Sequence, residues 1–234
     1  MSESSTPSLN ILYQDEWMVA IDKPAGWLVH PASDPKDDDL VAMKVLRDQI
    51  GERVYTIHRI DRPTTGVLLM GIDREVSQSL HQALADHQMQ KTYWAIVHGK
   101  PDHSEWDCHE PIQKEEGKPI REAHTSFRVL ETIKHPALVD NDSFSENQLS
   151  LICATPHTGR FHQIRRHLLH AGFPIVGDYR YGGIERCDKL GTVLDISSRM
   201  LLMAKSLKFQ HPLTKEVIDI TSPAPKEFNK CLLG

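Results

Sequence analysis

Long apolar runs are missing from this sequence. No stretch approaches the roughly 18 residues that a membrane-spanning helix needs, so none is expected. The opening MSESSTPSLN is polar and carries no apolar leader, so no secretory signal is expected. Four cysteines (Cys108, Cys153, Cys187 and Cys231) stand apart with no C-x-x-C, which points to reduced cytoplasmic thiols. Walker A, G-x-G-x-x-G and G-x-S-x-G patterns are absent, so nucleotide-triphosphate, dinucleotide and α/β-hydrolase chemistry have no support. The 14 histidines invite a metal. Cys108-His109 and His157/His162 come nearest to a cluster, but neither has a zinc spacing, and neither metal nor cofactor is expected. Positive charge is not in excess: 27 Lys and Arg face 32 Asp and Glu, a net charge of −5. A general nucleic-acid coat is therefore not expected, although a local basic groove is compatible with that total.

What is present is ordinary globular material. Hydrophobic residues make up 39% and charged residues 25% of the 234 positions, enough for a sizeable core. Residues 1–9, rich in Ser, Thr and Pro, read as a disordered tail, and residues 10–234 as one domain. Short strands are predicted at 11–13 and 18–21, followed by a turn at Lys23-Pro24-Ala25-Gly26 and an acidic loop at 34–39. A helix is predicted over 40–49, and another after Asp73 as N-cap, with Val76, Leu80, Ala83 and Leu84 as its apolar stripe. Strands follow at 91–97 and 149–154, with exposed loops between. A helix is predicted over 161–171 with Gly172 at its C-cap, then short strands at 200–204, 207–209 and 217–220. Many short strands with a few helices indicate an α+β fold built on mostly antiparallel sheet.

The stretch His58-Arg59-Ile60-Asp61-Arg62-Pro63-Thr64-Thr65-Gly66 places one carboxylate between two arginines, flanked by strand-like Val54–Ile57 and Val67–Met70. A second anomaly lies about a hundred residues on. At 100° per residue, Phe161, Ile164, Leu168, Leu169 and Ala171 share one helix face. Arg165 falls in the middle of it, while His162, Gln163, Arg166 and His170 point away. A cation on an apolar face needs a carboxylate, because an unpaired buried charge is very costly. Asp61 is a candidate partner, and a bidentate Arg–Asp contact would hold it ionised. A purely structural ion pair accounts for these two residues equally well. Arg59, Arg62, Arg160 and Arg166 tip the balance, since they exceed the nearby acids and suggest a polyanion such as a phosphate backbone.

HRIDRPTTG resembles H-R-L-D-x-x-T-S-G of the RluA-type pseudouridine synthases. KTYWAIVHG is similar to that family's K-x-Y, TGRFHQIRRHL to T-G-R-x-H-Q-I-R-x-H, and GDYRYGG at 177–183 to G-D-x-x-Y-G. IDKPAGWLVHP is similar to its N-terminal strand and turn. The motifs occur in the family's order over residues 10–223; Ile60 and Thr65 are conservative departures. R-P-T after the aspartate, the short length and the lack of an S4-type RNA-binding domain resemble a tRNA-directed branch.

The resemblance implies a cytoplasmic isomerase that converts a uridine of tRNA to pseudouridine by flipping the base, with position 65 of the T-stem as target. It implies Asp61 as catalytic carboxylate, Arg165 as its partner and Tyr93 stacked on the base. His58, Arg59, Arg62, Arg160, His162 and Arg166 would contact RNA, Arg59 filling the vacated stack, and Ile164 would pack on the flipped base. A core role for Tyr93 and Ile164 and a solvated basic face for the others remain open. tRNA is the expected partner, with no membrane, no obligate protein partner and a monomeric state. Alternatives are an rRNA-directed enzyme of the same type, a glycosidase-like enzyme, for which no second acid accompanies Asp61, and a non-catalytic RNA-binding protein.

Overall fold

A computed structural model describes residues 7–139, 147–197 and 199–233, apart from residues 33, 35, 37 and 38. The first six residues of the expected tail and much of the expected acidic loop lie outside the described residues. Leu9, assigned to the tail, is buried, and its N–H donates to the side-chain oxygen of Gln49 at 2.7 Å. The chain divides into two compact units, residues 1–90 with 206–222, and residues 91–205 with 223–234. The sequence reading took residues 10–234 as one domain.

In the first unit, β1 (Asn10–Gln14) pairs antiparallel with β2 (Met18–Lys23), and β2 with β4 (Thr65–Gly71). The short β3 (Tyr55–Thr56) pairs with the end of β4. Helix α1 (Ala42–Ile50) ends on Gly51, whose φ of 72° suits a residue without Cβ. Helix α2 (Arg74–Ala85) starts where the sequence indicates: the Asp73 carboxylate accepts from the N–H groups of Glu75 and Val76. Val76 and Leu80 of α2 pack on Met18, Ala20, Val67 and Leu69, the inward period-2 positions of β2 and β4.

In the second unit, β5 (Gln90–His98), β10 (Gln148–Pro156), β9 (Thr125–Lys134) and β6 (Glu105–Cys108) form an antiparallel ladder in that order. The strands β7 (Ile112–Gln113) and β8 (Ile120–Arg121) form a separate hairpin. Both faces of the ladder are covered. Ile96, Leu149 and Leu151 face α4 (Ile184–Val193) and α5 (Lys226–Leu233) through Leu190, Phe228 and Cys231. Ala95, Val97, Ile152 and Ala154 face α3 (Gln163–His170) through Ile164 and Leu168. This two-sided burial is why residues 149–154 read as an almost unbroken apolar run.

The expected short strands at 200–204 and 207–209 are one nine-residue strand, β11 (Leu202–Gln210), whose second half pairs antiparallel with β12 (Val217–Thr221). Helices α4 and α5 were not anticipated. Leu169, expected on the packed face of α3, is 39% exposed, while Gln163 and His167 are buried. The α+β class and the mostly antiparallel sheet stand as expected. No helix among the described residues is long and apolar enough to cross a membrane.

Candidate active site

Asp61 sits in a loop held at several points. The N–H of Thr64 donates to the Asp61 carbonyl at 3.0 Å, closing a tight turn around Arg62 and Pro63. The Arg62 carbonyl accepts from the Gly26 N–H at 2.9 Å and from the Lys23 ammonium at 3.1 Å. Lys23 is fully buried, and its Nζ also donates to the carbonyls of Pro24 and Trp27 at 2.8 and 3.0 Å. A buried ammonium is tolerated only where its donors are satisfied. Lys23 thus ties the IDKPAG turn to the Asp61 turn. His58 braces the other end, its Nε2 accepting from the Leu69 N–H of β4 at 3.0 Å. Gly66, at φ 102°, lets the chain enter β4 in a conformation that side chains disfavour. Asp61 is half-buried and Arg59 exposed. Arg62 donates through Nε to the Gly26 carbonyl at 2.8 Å and pairs with Asp39 at 3.1 Å, its side chain 49% exposed.

In the second unit the segment before α3 is organised by Gln163. Its side-chain oxygen accepts from the Thr158 hydroxyl at 2.7 Å and the Arg160 N–H at 2.9 Å. Its amide nitrogen donates to the His124 carbonyl and the Thr125 hydroxyl, both at 2.9 Å. His162 adopts φ 54° at the helix start, and its Nδ1 lies 3.1 Å from the Tyr181 hydroxyl.

Arg165 is buried, as its helix position predicts, and grips Asp178 with both prongs: Nε to Oδ2 and Nη2 to Oδ1, each 2.7 Å. Asp178 also accepts from the N–H groups of Arg180 and Tyr181 at 3.2 and 3.3 Å. The guanidinium lies 5.1 Å from the Tyr181 ring centre. Breaking such a buried pair typically costs about 3–5 kcal/mol. The requirement for a carboxylate was legible in the sequence; Asp178, inside the G-D-x-x-Y-G match, was given no role.

Arg160 donates through Nε to the Glu122 carbonyl at 2.9 Å, and Arg166 through Nη1 to the Gln113 carbonyl at 2.7 Å. These contacts orient guanidinium groups by main-chain acceptors and leave their charge unneutralised by those bonds. Tyr93 on β5 is half-buried and packs on the cluster that contains Ile164, which is only 6% exposed. The buried His167 ring bridges the Thr125 hydroxyl and the Glu110 carbonyl at 3.0 and 2.9 Å, and burial lowers its pKa. Burial also lowers the pKa of Lys91, the first residue of K-T-Y.

Each unit carries a basic cleft that the sequence reading did not locate. One, of about 490 Å³, is lined in the first unit by Lys44, Arg47, Arg53, Arg74 and His81. The other, of about 290 Å³, is lined in the second by Lys114, Lys118, Arg121 and Arg160. Among the described residues, neither has an acidic residue in its lining. In the second cleft Lys114, Lys118 and Arg121 come from one hairpin, interrupted in sequence by Glu115 and Glu116, and Arg160 joins them from the segment before α3.

The family model for RNA pseudouridylate synthase matches residues 17–170, from β2 through the end of α3. The chain belongs to this family. Among curated relatives, the tRNA pseudouridine synthase C of Salmonella typhi is 39% identical over 221 residues, covering 91% of this chain and 84% of the relative. That of Haemophilus influenzae is 38% identical over 234 residues, covering 96% of each. Two solved structures share the fold. Human RNA Pseudouridylate Synthase Domain Containing 4 aligns with a TM-score of 0.73 at 25% identity, over 96% of this chain and 92% of that one. Human RNA Pseudouridylate Synthase Domain Containing 1 gives 0.74 at 23%, over 96% and 87%.

Proposed function

We propose that this chain isomerises a specific uridine of tRNA to pseudouridine, with Asp61 as the catalytic carboxylate and Arg165 and Tyr93 as its active-site partners. The observation that carries the reading is the turn around Asp61. A buried lysine, a glycine N–H and a histidine fix its main chain while the carboxylate-bearing residue stays half-buried at the surface. That is a preorganised acid, and family membership supplies its chemistry.

The reaction detaches uracil from C1′ of the ribose and rejoins it through C5, with no net redox change. A carboxylate serves as nucleophile at the sugar or the base, or promotes a glycal intermediate. Extruding the nucleotide costs roughly a few kcal/mol. Arg59, exposed beside Asp61, fills the vacated stack. His58, Arg62, Arg160, His162 and Arg166 contact phosphates, and the two basic clefts extend that contact. The relatives named tRNA pseudouridine synthase C support tRNA as substrate, and we place the target at position 65 of the T-stem. The enzyme acts in the cytoplasm as a monomer.

The test is tritium release from tRNA labelled at uridine C5. Asp61→Asn is expected to melt at the wild-type temperature, keep its tRNA affinity and release no tritium; release at the wild-type rate overturns the assignment. Arg165→Met with near-normal activity sinks the Asp61–Arg165 partnership. Pseudouridine mapping of total RNA from cells with and without the protein separates tRNA from rRNA targets.

A further inference from the structure

Three histidines of the second unit lie side by side for a reason found only in strand register. Cys108 pairs with Thr125, and Thr125 with Pro156. One residue further out along these strands stand His109, His124 and His157. Directly opposed residues of an antiparallel ladder project to the same side. The His157 N–H donates to the His124 carbonyl at 2.9 Å, carrying the ladder one step beyond the named strands. The His109 and His124 rings stack with centres 4.1 Å apart and planes at 16°, and the His124 and His157 rings at 4.1 Å and 19°. Two residues back on the same face stand Asp107 and Ser126, themselves paired across β6 and β9.

We propose that Asp107, His109 and His124 form a surface site for a divalent transition-metal ion of the zinc class. One ligand atom from each lies within 4.8 Å of the other two. In a tetrahedral zinc site with ligands at about 2.1 Å, neighbouring donors lie about 3.4 Å apart. Asp107 and His109 are exposed and His124 half-buried, so rotation of surface side chains closes the difference. Two imidazoles and one carboxylate suit zinc; calcium and magnesium take oxygen shells. Solvent completes the coordination.

Asp107 and His124 already meet through a hydrogen bond that a bound ion would replace, and neighbouring groups steady both. The Ser126 hydroxyl donates to Asp107 Oδ1 at 2.6 Å, the same oxygen that lies 2.7 Å from His124 Nε2. Ser126 Oγ is 2.7 Å from His157 Nε2. The His124 main chain is fixed on both sides: its N–H donates to the Thr158 hydroxyl at 3.0 Å, and its carbonyl accepts from Gln163 at 2.9 Å. Cys108-His109 and His157/His162 come nearest to a cluster in the sequence but lack a zinc spacing, because the register of the strands, not the spacing, brings His124 between His109 and His157.

Full-length, tag-free protein stripped with a chelator, then freed of it, is titrated with zinc chloride by calorimetry and with cobalt chloride by visible absorption. One ion per chain is expected, with a cobalt spectrum of low coordination number. His109→Ala and Asp107→Asn, both at exposed positions, are expected to weaken zinc binding by more than about tenfold. Matching circular dichroism spectra and metal-free melting temperatures establish that the variants fold. No binding by the wild type, or unchanged one-to-one binding by both variants, overturns the proposal. So does unchanged zinc affinity with lost tRNA affinity in His109→Ala, which marks the stacked rings as a platform for RNA bases.

Discussion

Arg62 and Arg165 each belong to a segment that marks the family, and each holds a buried carboxylate, but only Arg62 reaches solvent. The Arg62–Asp39 contact is a single 3.1 Å approach by a side chain that is half in water. The Arg165–Asp178 contact is a two-pronged 2.7 Å grip with both side chains almost wholly buried. The Asp39 side chain is only 4% exposed, but water reaches the Arg62 guanidinium and leaves that charge open to an incoming phosphate. Burial makes the members of the second pair depend on each other, because losing either leaves a costly buried charge. The same two side-chain types thus give a replaceable latch in one unit and a structural rivet in the other.

The largest test of that contrast is Asp178→Asn. It leaves the Arg165 charge buried against a neutral partner, and a loss of about 3–5 kcal/mol is expected in denaturant unfolding. A change under about 1 kcal/mol would erase the distinction. Acid sharpens it at intermediate size. Burial depresses the pKa of His167 below its ordinary value of 6.5, so the unfolded chain binds the proton more readily. The stabilisation is complete above about pH 6.5 and lost as pH falls through the folded pKa, at up to about 1.4 kcal/mol per pH unit. Denaturant midpoints measured across acid pH for wild type and His167→Gln are expected to show a shallower decline in the variant. A smaller stability effect than that of Asp178→Asn belongs to Arg62→Ala, because only one member of its pair is buried. Its signature lies in binding: the slope of log affinity against log salt for tRNA is expected to fall by about one. A large loss of stability with an unchanged salt slope would reverse the roles assigned to the two arginines.

What the sequence made legible follows from how local each signal is. Asp73 caps α2 because a cap is decided within a few residues. Arg165 was recognisable as a buried cation because helix periodicity is local too. Its partner on the same unit lies 13 residues away, beyond the helix, where no periodicity reaches. Gln163 is expected on the solvent side of α3, and His167 is assigned to neither face. They are buried because the β9 end and Glu110 supply polar partners there, a tertiary fact that hydropathy does not register. Helix α5 carried a readable signal: Phe228 and Cys231, three apart and both buried, follow a proline-rich stretch. Lys23 shows the reverse case. Its burial is invisible in a charged residue next to a proline, yet it holds the turn on which the proposed chemistry depends.

Gln163 has one more consequence. All four hydrogen-bonding capacities of its side-chain amide are used, two as acceptor and two as donor, and the donors meet acceptors inside the protein. Its two amide protons are therefore shielded from solvent exchange. In a nitrogen–proton NMR spectrum they constitute a built-in probe: a single pair of slowly exchanging side-chain signals that reports, in one measurement, whether the segment from Thr158 to α3 is assembled.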